Sequence, residues 1–218
     1  MSKWNDARVY RGANVKPDPN QGGSALSLCV AQSHCKFLRQ SSTIIKPQGA
    51  LLAFQCNLKG IIKGNFVATV KVVRFGENVN PWCRAGIFLR NDIAQSHGTE
   101  PGSLGSVLIY TTPKLSGMQW DELGDGCMHK GGDRHFHEGK NAFPVWLRLV
   151  RHGDTFTGYA SDDGVNWGKP KHSSLIPGLA DMMDIGMAAG TIDQRPALVV
   201  LEDFTVEVED EDWKPDLD

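Results

Sequence analysis

Arginine, amide and aromatic side chains recur in this sequence at positions from which they could bind a ligand rich in hydroxyl groups. Guanidinium and amide groups are planar and offer several hydrogen-bond donors, and aromatic rings stack on the apolar faces of sugars. The alternative is that arginine and aromatic side chains merely cover one face of a sheet. The candidate ligand-binding residues are Arg84, Arg90, Asn91, Gln119, Trp120, Arg148 and Tyr159.

A second group of residues could hold a metal ion or transfer a proton. The segment from Cys127 to Glu138 combines thiol, imidazole and carboxylate groups, which are the donors that zinc prefers. Its spacing matches no standard zinc pattern, but imidazole titrates near neutral pH and can act as an acid or base. His135 and His137 would share a face in an extended strand. The candidate catalytic residues are Glu122, Asp133, His135 and His137.

The elements that position these residues are predicted to be strands. From 145 to 167 the sequence indicates a β-hairpin with a tight turn at Gly153 and Asp154. Pairing Leu149 with Phe156 places the odd residues 145 to 149 on the buried side. The residues that then share the other side are Trp146, Arg148, Thr157 and Tyr159.

Similar segments recur along the chain without any helical periodicity, so we predict an all-β protein. The predicted strands are Ala25–Val30, Ala50–Asn57, Asn65–Arg74, Cys83–Arg90, Ser106–Thr111, Val145–Val150, Thr155–Ser161, Ile185–Gly190 and Leu198–Glu209. Two long insertions, Ile93–Gly105 and Gly117–Asn141, are predicted between strands. The predicted core contains Val70, Ile87, Leu89, Leu147, Leu149, Phe156 and Ile185.

The composition predicts one soluble domain over residues 4–209, followed by an acidic tail over residues 210–218. A formal net charge of −2 offers no field to attract nucleic acid or an anionic membrane. No apolar run has the length of a membrane helix, and no secretory signal is visible. The five cysteines form an odd set, so we expect free thiols and a cytoplasmic protein. An exported protein with a Cys29–Cys35 bridge is the alternative.

Several segments, in order along the chain, match one family. They are Gly64–Phe66, Ala85–Asp92, Trp146–Leu149 with Arg151, Gly153 and Phe156, Ser161–Trp167, Asp184–Ala188 and Leu201–Phe204. Together they resemble the concanavalin A-like lectin/glucanase superfamily, and in particular its DUF1349-type, regulation-of-enolase-like domains. The resemblance implies a jelly-roll β-sandwich of two antiparallel sheets, whose concave face binds carbohydrate. It implies no required cofactor, but a structural calcium ion is expected at Asp203, with Asp6 as a second oxygen ligand.

The residues and the resemblance together predict non-catalytic binding of carbohydrate or a similar polar ligand on the concave face. Trp120 and Tyr159 would be the stacking platforms, and Arg84, Arg90 and Arg148 the hydrogen-bond donors. The Glu-x-Asp-x-x-Glu strand of related hydrolases does not occur in the sequence. One alternative is nevertheless an enzyme that acts on a saccharide or small metabolite through residues 119–138. Another is a regulatory domain that binds a protein through an exposed apolar patch.

Overall fold

The computed structural model describes residues 8–9, 13–17, 26–30, 55–57, 61–91, 105–121, 132–138, 142–177, 179–190 and 197–209. Within these ranges the chain forms fifteen strands and no helix, so the all-β prediction is confirmed. The strands are β1 Arg8–Val9, β2 Ala13–Pro17, β3 Leu26–Val30, β4 Gln55–Asn57, β5 Ile61–Lys63, β6 Phe66–Phe75, β7 Arg84–Asn91, β8 Ser106–Thr111, β9 Leu115–Asp121, β10 Gly132–Glu138, β11 Val145–His152, β12 Thr155–Ser161, β13 His172–Leu175, β14 Met182–Gly190 and β15 Ala197–Val208.

The strands form two antiparallel sheets, as predicted for a jelly-roll β-sandwich. Sheet A has the order β1-β4-β14-β7-β8-β9-β10, and β5 pairs with β14 beside β4. Sheet B has the order β13-β12-β11-β6-β15-β3-β2. Strands distant in sequence are neighbours in both sheets, so the two halves of the chain are held together by strand pairing. Among the described residues there is no helix with the length and hydrophobicity needed to cross a membrane.

The inner faces of the two sheets meet in one hydrophobic core. Along β11 the odd-numbered residues are buried and the even-numbered ones are half-buried, until His152 is exposed at the end of the strand. Each fully buried aliphatic or aromatic side chain contributes about 1.5–3 kcal/mol relative to an exposed one. All the predicted core residues belong to this cluster, namely Val70, Ile87, Leu89, Leu147, Leu149, Phe156 and Ile185.

The register of the β11–β12 hairpin differs from the prediction by two residues. Arg151, rather than Leu149, lies opposite Phe156. Gly153, with a φ of 58°, and Asp154 form a two-residue turn, whereas pairing Leu149 with Phe156 would place the turn at His152 and Gly153. A shift of two residues keeps the same side chains inside, so the predicted faces are confirmed although the predicted pairs are wrong.

Each predicted strand coincides with an observed one, but residues 50–54 lie outside the described residues. The prediction of a single insertion from Gly117 to Asn141 is wrong in part, because β9 and β10 pair with each other there. β10 is an edge strand of sequence GDRHFHE, so most of its residues are polar and its sequence lacks the alternation of a half-buried strand. Residues 93–104 of the other insertion lie outside the described ranges.

Candidate functional site

The outer face of sheet A, on the side away from the core, carries a compact polar and aromatic group. Tyr110 of β8 lies opposite Gly86 of β7 and Gly117 of β9, so neither neighbouring strand places a side chain beside its ring in that row. Tyr110 is not among the candidate residues of the sequence analysis. Its position in the predicted strand Ser106–Thr111 was the signal that could have placed it on one face of the sheet. It belongs to a second buried cluster that comprises Phe88, Leu108, Tyr110, Leu115 and Ala188.

Arg84 reaches across this face to Tyr110 and Gln119. Its guanidinium carbon lies 4.5 Å from the centre of the Tyr110 ring, and its Nη1 donates a hydrogen bond to Oε1 of Gln119. The Arg84 side chain can pass over Gly86 because this residue has no side chain. A Cβ atom at Gly86 would lie 2.0 Å from the carbonyl oxygen of Ile109, so the close approach of β7 to β8 requires glycine. We refer to Arg84, Tyr110 and Gln119 as the Arg84 cluster.

The Arg84 cluster is held firmly in the fold. Tyr110 is fully buried, and Gln119 is only 4% exposed. Buried polar groups are costly unless they are hydrogen-bonded, so the contact between Arg84 and Gln119 fixes both side chains in one arrangement. The half-buried Arg84 guanidinium is therefore the part of the cluster that reaches the surface, and the buried Tyr110 ring and Gln119 amide hold it in a defined geometry.

Two further sequence candidates lie at the end of β7. Arg90 pairs with Ser106 of β8 and with Asp184 of β14, which places it at an outer-face position like Arg84, but its side chain lies outside the described residues. Asn91 is buried, and its Oδ1 accepts a hydrogen bond from the backbone N–H of Ala180. This hydrogen bond ties the segment before β14 to the end of β7, so Asn91 has a structural role.

The prediction that Trp120 is a stacking platform on the same surface as Gln119 is wrong. Successive residues of a strand point to opposite faces, and Trp120 belongs to the core while Gln119 lies on the outer face. The Trp120 ring is 7% exposed and stacks on His172 of β13, with ring centres 5.3 Å apart and an interplanar angle of 14°. Trp120 thus closes the space between the two sheets.

Arg148 and Tyr159 share the outer face of sheet B, as predicted, and they lie directly opposite each other, which the predicted pairing did not place together. The Arg148 guanidinium carbon is 3.9 Å from the centre of the Trp167 ring, and Nε of Arg148 is buried without a hydrogen-bond partner in the described structure. Burial lowers the pKa of Arg148, and the nearby Glu207 and Tyr159 oppose this effect. The arginine stays charged because a guanidinium is not deprotonated in proteins near neutral pH.

The seven candidate residues do not converge on one surface. Arg84 and Gln119 lie on the outer face of sheet A, whereas Arg148 and Tyr159 lie on the outer face of sheet B. The core separates the two outer faces. Any ligand site must therefore be assigned to one sheet or the other.

The catalytic candidates are only partly described. His135 of β10 is exposed and lies opposite Gly117, in the same row of sheet A as Tyr110. A β-bulge after His135 places His137 opposite Ser116, so the two histidines do not share equivalent positions as predicted. Asp133 also lies in β10, but its side chain and that of His137 are outside the described residues, as are Glu122 and residues 127–131.

The expected calcium site is described at one residue only. Asp203 is exposed at a β-bulge in β15 and has a φ of 50°, which aspartate tolerates better than most residues. Asp6 lies outside the described ranges. Among the described side chains, no group of three or more histidine, cysteine, aspartate or glutamate residues is arranged to hold a metal ion.

No family model and no curated protein matches this chain. Solved structures do match. A functionally unknown protein from Saccharomyces cerevisiae superposes with a TM-score of 0.57 at 16% identity, over 90% of this chain and 96% of that one. Alginate lyase A1-II', of polysaccharide lyase family 7, matches with a TM-score of 0.52 at 13% identity, over 92% of this chain and 85% of the lyase. The GH43 protein BlXynB from Bacillus licheniformis gives 0.54 at 12% identity, over 95% of this chain but 38% of its own length.

These similarities support the jelly-roll fold. At this identity they carry no information about individual site residues.

Proposed function

We propose that this protein binds carbohydrate at the Arg84 cluster on the outer face of sheet A. The observation that carries the proposal is the position of the Arg84 guanidinium, which lies over the Tyr110 ring and is bonded to the buried Gln119 amide. A guanidinium is planar and carries several N–H donors, so a half-buried Arg84 held in one orientation can donate to the hydroxyls of a sugar.

The names of the structural neighbours support the same proposal. Alginate lyase A1-II' acts on a polysaccharide by name, and BlXynB carries a glycoside hydrolase family number. The fold of this chain therefore occurs in proteins of carbohydrate metabolism. Membership of the DUF1349-type domains, which the ordered sequence segments suggest, is part of this proposal.

Binding can be tested with xylan, alginate and a glycan array, using calorimetry to measure the affinity for any glycan detected. We expect binding by the wild-type chain and a loss of about tenfold or more in Arg84→Lys, because lysine keeps the charge but lacks the planar fork that holds Gln119 and the ligand. Arg74→Lys, at an exposed arginine of sheet B, is the matched control and should bind within about twofold of wild type.

An unchanged affinity in Arg84→Lys, or the absence of any glycan ligand, would refute the proposal. Circular dichroism of both variants checks that they fold. A Gln119→Leu variant tests the same cluster without changing its charge, and it should weaken binding in the same direction.

A saccharide-cleaving enzyme is the second candidate, favoured by the position of His135. Its row in sheet A also contains Gly117 and Tyr110, so an imidazole and a phenol lie in one row, with a glycine between them. Both groups can transfer protons. Release of reducing ends or unsaturated products by the wild type, abolished in His135→Ala, would favour the enzyme over the binding module.

A further inference from the structure

A cavity of about 490 Å³ lies at the end of the sandwich where β11 begins and β12 ends. Its lining comes from β9 and β10 of sheet A, from β11 and β12 of sheet B, and from the corner that follows β12. The volume falls within the range of small-molecule sites, about 300–1,000 Å³. The polar and aromatic side chains of the lining include Ser116, Phe136, Asp162, Asn166, Trp167 and Lys171.

An aromatic wall of the cavity is held in place from outside. The Arg148 guanidinium lies 3.9 Å from the centre of the Trp167 ring and covers that side of the indole. Trp167 also lines the cavity, so the remaining surface of a fixed ring is available to a ligand. Phe136 of β10 adds a second apolar surface on the sheet A side. Ring faces of this kind stack on the C–H faces of pyranoses.

The polar groups of the cavity are free to bind. Neither the Asp162 carboxylate nor the Lys171 ammonium makes a hydrogen bond or ion pair with another described residue, and both residues are exposed. The Asn166 backbone N–H and amide Nδ2 both donate to Asp163, which orients the amide and leaves its oxygen available as an acceptor. A carboxylate, an ammonium and an amide oxygen therefore surround one space without being paired to each other.

We propose that this cavity is a separate binding site for one pyranose unit of a neutral saccharide. The sugar ring stacks on Trp167, and its hydroxyls donate to Asp162 and Asn166 and accept from Lys171. A ligand without charge is favoured because the opposite charges of Asp162 and Lys171 offset each other. The site lies away from the outer face of sheet A, and the inference does not depend on the function proposed for the Arg84 cluster.

Titration of the full chain with methyl glucoside, mannoside, galactoside and xyloside, followed by ligand-observed NMR and tryptophan fluorescence, tests this site. At least one pyranoside should bind, and Asp162→Asn and Lys171→Met should each weaken its binding about tenfold or more, as expected for the loss of a hydrogen bond to a charged group. Asp154→Asn and Lys169→Met remove equally exposed charges outside the cavity and should bind within about twofold of wild type. Trp167→Leu should abolish binding.

Trp167→Leu also removes the partner of Arg148 and could disturb the fold, so the two charge variants decide the result. The proposal is overturned if no pyranoside binds, if both charge variants bind like wild type, or if free amino acids bind and pyranosides do not. Arg84→Lys provides the comparison with the proposed function. Loss of pyranoside binding in Arg84→Lys alone would reject the cavity. Loss in the cavity variants alone would support the cavity, and the Arg84 cluster is then decided by its own test with polysaccharides and the glycan array.

Discussion

The carboxylate of Asp163 organises the corner between β12 and β13. It accepts hydrogen bonds from the backbone N–H groups of Val165 and Asn166, from the Asn166 amide and from the Ser161 hydroxyl. Because these bonds favour the charged form, they lower the pKa of Asp163 well below its ordinary 3.8. Such a group stabilises the folded protein above the unfolded pKa, and this contribution is lost as the pH falls toward the folded pKa.

Asp163→Asn should therefore change how stability depends on pH. At neutral pH the wild type should melt at a higher temperature than the variant, and the difference should shrink below about pH 4, where the unfolded carboxyl group takes up its proton. Thermal melts of both proteins across the acid range measure this. Asp162→Asn removes the neighbouring carboxylate, which makes no such bonds, and should keep the wild-type profile. A difference that stays constant down to the acid limit would contradict the assignment.

Gly164 combines a backbone requirement with a close contact in the same corner. Its φ is 71°, and a Cβ atom would lie 2.6 Å from Cδ2 of Trp146. Gly164→Ala should lower the free energy of unfolding by about 2–4 kcal/mol, through backbone strain and displacement of the indole. Gly168→Ala is the matched control, because Gly168 has a φ of 58° and open space around its Cβ position. Denaturant unfolding should show a cost of about 1–2 kcal/mol there, and equal costs at both sites would reject the Trp146 contact.

At the scale of elements, the hairpin shows what hydrophobic alternation can predict. The faces of β11 and β12 follow from the sequence, because side chains alternate with a period of two. The same period makes pairings that differ by two residues equivalent in burial, so alternation could not choose between Leu149 and Arg151 as the partner of Phe156. A two-residue turn at Gly153 and Asp154 is compatible only with Arg151 as the partner of Phe156.

The candidate site was harder to predict because it depends on which strands share a sheet. Arg84 was placed correctly on an outer face, and Arg148 was too, but alternation along one strand does not say that β7 belongs to sheet A and β11 to sheet B. Gln119 and Trp120 are adjacent residues of β9, so only one of them can lie on the face of Arg84. The sequence predicts an insertion, and no strand, for their segment, so alternation gives no basis for deciding which of the two residues faces Arg84.

Arg151 shows how an element can carry a charge into the interior. It occupies an inward position of β11 and is 4% exposed, although the pattern of β11 predicts an apolar residue there. Its Nε donates to the carbonyl oxygen of Gly153 and its Nη1 to that of Asp181. Burial lowers its pKa, and nearby Asp181 and Asp154 oppose this. The guanidinium thus ties the hairpin turn of sheet B to the segment that leads into β14 of sheet A.

At the scale of the whole molecule, the spacing between the two sheets changes along β12. A Cβ atom at Gly158 would lie 2.8 Å from Cζ of Phe136 and 3.1 Å from Cδ1 of Ile109, both of which belong to sheet A. Ala160, two residues further along the same face, lines the 490 Å³ cavity instead. The two sheets are therefore in contact at Gly158 and apart at Ala160.

This difference predicts opposite responses to the same side chain. Gly158→Val should lower the free energy of unfolding by about 1–3 kcal/mol, because the new methyl groups force the sheets apart or displace Phe136. Ala160→Val should change it by no more than about 0.5 kcal/mol, because the cavity has room for the added atoms. Ala160→Val should also weaken the binding of any ligand in the cavity, because residue 160 lines it. Denaturant unfolding of the two variants measures the contrast, and equal losses of stability would mean that the cavity is too narrow to admit a sugar ring.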